Sequence, residues 1–203
     1  MHELLNYRRQ NHELYRSIRH SDDPLIAWQH FRETRDNLFR THAQSPLDTE
    51  AKAVFSHLSY YDYDPDYRVM ARIETNVNKF DLEYDLGDDG NFQCSRFGEV
   101  HFTLPSGSAS LSLFWINGYG GGLFLPFGDS TSRTTTYGGG RYLYDTIKGA
   151  DLGSVNDELI LDFNFAYNPS CAYSPRWTCP LAPQENRLSI PVLAGEQIPH
   201  LPS

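Results

Sequence analysis

The chain has 203 residues, enough to bury a core of its own, so neither a disulfide nor a metal is needed simply to fold it. Its formal net charge is −9, with 17 Lys and Arg against 26 Asp and Glu, and most of the arginines fall before position 73. That balance argues against a nucleic-acid partner, which needs clustered cations to displace counterions, and against anionic membranes. The opening stretch MHELLNYRRQNHELYR lacks an apolar run of signal-peptide length, and no stretch approaches the roughly 18–20 apolar residues of a spanning helix. The expectation is a cytoplasmic protein with reduced thiols.

In chain order, residues 1–58 predict a helical segment. Leu4, Tyr7, Leu14 and Ile18 approximate one helical face. In SDDPLIAWQHFRETRDNLF, Asp22 or Asp23 can cap, Pro24 suits the first turn, and Trp28, Phe31, Leu38 and Phe39 form a stripe. A third helix is expected after Ser45 and Pro46. Beyond Tyr60 the period falls to two. RVMARIET, KFDLEYDL, EVHFTL, SLSLFWI, GLFLPF, TTTYGGGRYLY, ELILDFNFAY and RLSIPVL read as strands separated by short turns, with Asp-Gly in GDDGN as hairpin chemistry. With 13 Tyr and 12 Phe, the core is aromatic, a composition that favours strands and enclosed pockets. The predicted fold is mainly β: an antiparallel sandwich or barrel spanning 59–203, with the helical segment 1–58 packed on it as part of one folding unit.

Several familiar motifs fail. GYGGGL and YGGGRY match neither dinucleotide-loop nor P-loop spacing, and as strand glycines they predict bulges or close backbone contacts. HELLN and HELYR lack the second His of a zinc protease, and no Gly-x-Ser-x-Gly elbow occurs. DYDPDY begins like a calcium loop but has Tyr67 at loop position six and Ile73 at position twelve. It is therefore read as a connection between helix and strand.

Three constellations remain. In YGGGRYLYD, Arg141 can offer a planar fork to a carboxylate or phosphate, or can pair with an internal Asp. In ELILDFNFAY, one strand face turns polar at Asp162 and Asn164, which suits a polar cavity or a wet sheet face; Asp162 is then a candidate partner for Arg141. In YNPSCAYSPRWTCPLAPQEN, seven residues separate Cys171 from Cys179, too many for a zinc knuckle, so Cys94 or one of His42, His57 and His101 would have to complete a metal site. No metal site is predicted. A disulfide, a reactive thiol beside Arg176 and ordinary packing thiols all stay open. Asn168, Glu185 and Asn186 add polar groups to the same loop, or serve as turn residues.

The stretches SPL (45–47), YDPDYRV (63–69), LFLPFGDST (123–131), TYGGGRYL (136–143), LDFNFAYNPSCAY (161–173) and CPLAPQENRL (179–188) together resemble a bacterial and archaeal family catalogued as domain of unknown function 1684. The chain departs from that pattern at Ala43, where Pro is usual, and near Arg133, where Gly is usual. The resemblance implies no activity and no catalytic residue. Some relatives look like exported lipoproteins, which favours a Cys171–Cys179 bridge.

The combined expectation is a pocket for a small anionic ligand at one end of the sheet. Arg141 would anchor the anion and Asp162 and Asn164 would orient it. Tyr137 and Tyr167 would supply apolar sides, and the loop from Pro169 to Pro183, with Asn168, Cys171, Cys179, Glu185 and Asn186, would form the wall. An enzyme using the same pocket for hydrolysis or thiol chemistry, with Cys171 or Cys179 as nucleophile, is the second expectation. A structural or docking protein whose N-terminal helices meet a partner is the third. Cofactor and oligomeric state are left open.

Overall fold

The structure is a computed structural model, which describes residues 1–200. The expected β unit ends at 203, so its last three residues lie outside the described range. Three helices come first: α1 (His2–Arg19), α2 (Pro24–Thr41) and α3 (Thr49–Val54). The α2 cap is Asp23, whose carboxylate accepts from Leu25 N and Ile26 N at 2.9 and 3.2 Å, with Pro24 at the first helical position where its missing N–H does no harm. The α3 cap is Asp48 rather than Ser45. Ser45 donates instead to Phe39 O and accepts from Leu47 N, so its short side chain closes the loop after α2.

Eight strands follow: β1 (Arg68–Glu74), β2 (Asp81–Asp85), β3 (Asn91–Leu104), β4 (Gly107–Ile116), β5 (Gly122–Phe127), β6 (Arg141–Asp145), β7 (Ser154–Val155) and β8 (Glu158–Asp162). They form one antiparallel sheet in the order β6-β5-β4-β3-β1-β8-β7, with β2 also on β3, curled into a half-barrel. The long β3 makes the curl possible. Its first half pairs with β2 and its second half with β1, and a bulge between Arg96 and Gly98 bends it where the partner changes. At Gly98 a Cβ would stand 2.8 Å from Ile73 Cγ2, so only glycine lets β1 approach there.

Three predicted strands are cut short. TTTYGGG is a series of turns, ELILDFNFAY stops pairing in the ladder after Asp162 and coils into a 3-10 turn, and RLSIPVL makes a single bridge at Arg187. Alternation continues through these segments, but the chain leaves the ladder: Asp162 accepts from Asn164 N and sets the 3-10 turn, and Pro191 has no N–H to donate. The irregular chain from Phe163 onwards runs over the sheet, and β6 is consequently buried on both faces. One core joins helices and sheet: Tyr15, Trp28 and Phe31 pack with Leu111, Leu125, Leu143, Leu161 and Phe165. A second cluster, Cys94, Phe114, Phe124 and Tyr142, occupies the opposite side of the sheet. Among the described residues no helix is long and apolar enough to cross a membrane.

Candidate functional site

The sequence-selected polar residues divide into an internal frame and a half-exposed thiol cluster. Arg141 belongs to the frame. It is 1% exposed and its Nη2 lies 2.8 Å from Asp129 Oδ2. Its remaining reach goes to main-chain carbonyls, with Nη2 donating to Val192 O and Nη1 to Ala194 O and Glu196 O. The fork thus clips the C-terminal segment to β6, and the pairing with an internal carboxylate is the arrangement observed. The carboxylate is Asp129, not Asp162. Asp129 is fixed in turn by Thr131, whose N and hydroxyl both donate to Oδ1.

Asp162, also 1% exposed, faces Arg68, with Arg68 Nε 3.5 Å from Oδ2, too far for a hydrogen bond. Burial pushes its carboxyl up to about 6, against the opposing pull of Asn164 and Arg68. Asn164 is buried and saturated. It binds Asp64 N and O through its amide, donates to Asp162 Oδ1, and offers its carbonyl to Trp28 Nε1 at 3.1 Å. It therefore pins α2 and the DYDPDY connection to the end of β8. Asn186 replaces missing ladder partners: Oδ1 accepts from Ser112 N, and Nδ2 donates to Ser112 O and Pro126 O. Asn168 donates through N to Glu196 and through Nδ2 to Gln197 O, with its buried Oδ1 unpaired. Glu185 is exposed at the surface. Tyr167 pairs with Tyr142 through both main-chain bonds, and its ring lies 4.9 Å under the Arg35 guanidinium.

The thiol cluster brings together Tyr137, Cys171 and Cys179, all half-buried. Tyr137 Oη donates to Cys171 Sγ at 3.6 Å, and Cys171 N donates to Cys179 Sγ at 3.4 Å. Each piece is held independently. The Tyr142–Tyr167 bridge and the pinned Asn168 deliver a 3-10 turn at Ser170–Ala172 that presents Cys171. Tyr142 Oη donates to Pro180 O at 2.7 Å, fixing the residue after Cys179. Ala182 N donates to Gly139 O, tying the same segment to the turn that carries Tyr137. The glycines of YGGGRY are the close contacts expected of them. A Cβ at Gly139 would be 2.5 Å from the Tyr137 ring and 2.9 Å from Leu181, and Gly140 has φ +93° with a Cβ position 2.6 Å from both Ala182 Cβ and Phe127 O.

The two thiols share their protons unequally. The neighbouring Cys179 thiol lowers Cys171 to about 6, opposed by burial and helped by the Tyr137 hydroxyl. The Cys171 sulfur, with burial, pushes Cys179 far up. Burial also raises Tyr137, which keeps its phenol protonated as a donor. Cys94 lies apart in the core, pushed up to about 12 by burial. Among the described residues no third His, Cys, Asp or Glu joins the two thiols in a metal-sized group. A cleft of about 260 Å³, lined by Ala43, Gln44, Arg176 and Trp177, opens on the loop between the cysteines, where Arg176 donates to Ser45 O.

Three framing residues escape the sequence pattern. Asp129 stands in LFLPFGDST with no periodic signal. Arg35 and Glu196 form a buried pair at 3.1 Å, with Tyr60 Oη beside Arg35 Nε at 2.9 Å. Arg35 lies in the α2 stripe as an apparent interruption, and its place among Phe31, Phe39 and Tyr167 is the available clue.

No curated protein matches the chain. Among solved structures, the solution NMR structure of an uncharacterised protein from Haloarcula marismortui is similar, with 38% identity over 83% of this chain and 91% of that one and a TM-score of 0.60. The model of the family described as "Protein of unknown function (DUF1684)" matches residues 53–197, which include all the strands, both thiols and the Arg141–Asp129 pair, and the chain belongs to that family.

Proposed function

We propose that the protein carries a thiol-dependent site acting on a small molecule, with Cys171 as nucleophile, Cys179 as its partner sulfur and Tyr137 as hydroxyl donor. The observation that carries this is convergence: Tyr137, from the turn before β6, and two cysteines of one loop meet within hydrogen-bonding reach on a half-exposed surface. The anionic-ligand reading has less support, because the donors of Arg141 are taken up by Asp129 and main-chain carbonyls. A reducing, cytoplasmic setting would keep both thiols available, and the acidic surface suits a small-molecule substrate better than a nucleic acid.

The test is the pH dependence of alkylation by iodoacetamide, read at each cysteine by peptide mass mapping. An ordinary thiol titrates near 8.5, whereas Cys171 is lowered to about 6. The groups bearing on the pair are Tyr137, Tyr142 and, towards Cys179, Lys148. At neutral pH the larger thiolate fraction is mostly offset by weaker intrinsic nucleophilicity, leaving a net gain of roughly twofold. The midpoint therefore decides, rather than the rate. The expected Cys171 midpoint is near pH 6, moving up in Tyr137→Phe. A midpoint at or above 8.5 would falsify the assignment.

A further inference from the structure

We infer that the co-reactant of this site is a hydroperoxide and that the product is a Cys171–Cys179 disulfide, with Cys171 attacking first and Cys179 resolving. The inference rests on the thiol-site reading and adds the substrate class and the order of the two sulfurs. Its basis is the position of the second sulfur. Cys179 Sγ lies against the backbone N of Cys171, so whatever forms on Cys171 has a thiol beside it. A nucleophile for acyl or glycosyl transfer needs a base and an open face for the incoming group. A neighbouring thiol instead intercepts the adduct, and for an oxidised sulfur that interception is the reaction. The two cysteines also differ in the required sense. Cys171 accepts the Tyr137 hydroxyl and Cys179 accepts the Cys171 main-chain N–H, and in the order inferred here the hydroxyl-bound sulfur of Cys171 is the thiolate that attacks, while Cys179 keeps its proton until needed.

The Cys171 thiolate attacks the terminal oxygen of the hydroperoxide. The O–O bond breaks, an S–O bond forms, and the departing oxygen takes a proton to become alcohol or water. The Cys179 sulfur then attacks the Cys171 sulfenic acid. The S–O bond breaks, the S–S bond forms, and hydroxide leaves with the Cys179 proton as water. The dithiol loses two electrons and two protons, and the peroxide gains them. The segment between the cysteines closes a short loop that contains Pro175, and the Cys179 sulfur already lies 3.4 Å from the main-chain N of Cys171.

The experiment uses the full, reduced chain at pH 7 with hydrogen peroxide, followed by intact mass and non-reducing peptide maps. The expected result is loss of two protons' mass, mapped to a Cys171–Cys179 link, reversed by dithiothreitol, and about twofold or more faster than oxidation of free cysteine. Cys179→Ser should stop at a sulfenic acid on Cys171 that a cyclic 1,3-diketone traps, and Cys171→Ser should do neither. The wild-type map is decisive even if a variant folds poorly. Alkylation at Cys171 with a midpoint near pH 6 but no accelerated disulfide would overturn the peroxide assignment and leave the thiol site standing. Ordinary midpoints at both cysteines would remove both together. A link made through Cys94 would also overturn it.

Discussion

Asp162 shows what a single buried carboxylate does to this fold. It is held by Asn164, faces Arg68 at a distance, and lies near Tyr63, yet burial outweighs these and its carboxyl is raised to about 6. In the unfolded chain an aspartate titrates near 3.9. Between these values the folded state holds the proton more tightly. Stability attributable to Asp162 is therefore present at low pH, falls as pH rises from about 4 to 6, and is lost above that window. The difference between the folded and unfolded carboxyl corresponds to about 3 kcal/mol. Asp162→Asn keeps the acceptor for Asn164 and removes the ionisation, so denaturant unfolding at pH 4 and pH 7 should give a difference about 2 kcal/mol smaller than that of the wild type, the part of the full shift that falls between those two pH values. An unchanged difference would mean that Arg68 fully compensates the charge. Arg133 makes a second case. Its φ of +74° lies in the left-handed region, which favours glycine. Arg133→Gly should raise the unfolding free energy by about 0.5–1 kcal/mol, because relief of backbone strain exceeds the added freedom of the unfolded chain. An equal or lower midpoint in urea would show that packing of the Arg side chain outweighs that strain.

At the scale of elements, the turn carrying Tyr137 and the segment carrying Cys179 are fastened to each other before either meets Cys171. Gly139 is a point of that contact which also touches the Tyr137 ring. Gly139→Ala would press on the Tyr137 ring and Leu181, and since Leu181 is exposed and free to move, the strain falls mainly on the position of the hydroxyl. The variant should therefore fold nearly as well as the wild type and move the Cys171 alkylation midpoint upward, as Tyr137→Phe does. A midpoint left near 6 would separate the glycine from the site. This coupling explains what the sequence could and could not convey. The two long helices, the Asp23 cap and seven of the eight strands follow from periodicity and turn chemistry, which act over a few residues. The partners of Arg141, Asp162 and Asn164 do not, because each bond spans segments distant in the chain and a strand face specifies orientation but not which element lies opposite. The first half of β3 is hidden for a related reason: NFQCSRFG has the bulge at Phe97 that interrupts its alternation. The convergence of Tyr137 on the two cysteines has no local signature at all.

Over the whole molecule, two buried ion pairs join parts that the chain keeps far apart. Arg141–Asp129 clips the C-terminal segment to the sheet, and Arg35–Glu196 ties that segment to α2, with Asn168 N on the same carboxylate at 3.0 Å. Helices, sheet and thiol loop thus share one set of charges, and the N-terminal segment is part of the core rather than a detachable arm. Phe31 packs edge-on against Phe165 at 5.1 Å, and Trp28 closes over Asn164. Removing residues 1–41 would uncover those aromatics and leave Glu196 buried without its cation, a loss of about 3–5 kcal/mol for the pair alone. This exceeds what a chain of ordinary stability can lose on top of its aromatic contacts. The truncated protein should show no cooperative thermal transition and should expose apolar surface to a hydrophobic dye. Arg141→Ala should likewise lower stability by about 3–5 kcal/mol, because it strands Asp129 in the interior. A truncated chain that kept a cooperative transition and changed only its light-scattering mass would instead make the helices a docking module, since a segment needed for the core cannot be removed without melting what it covers.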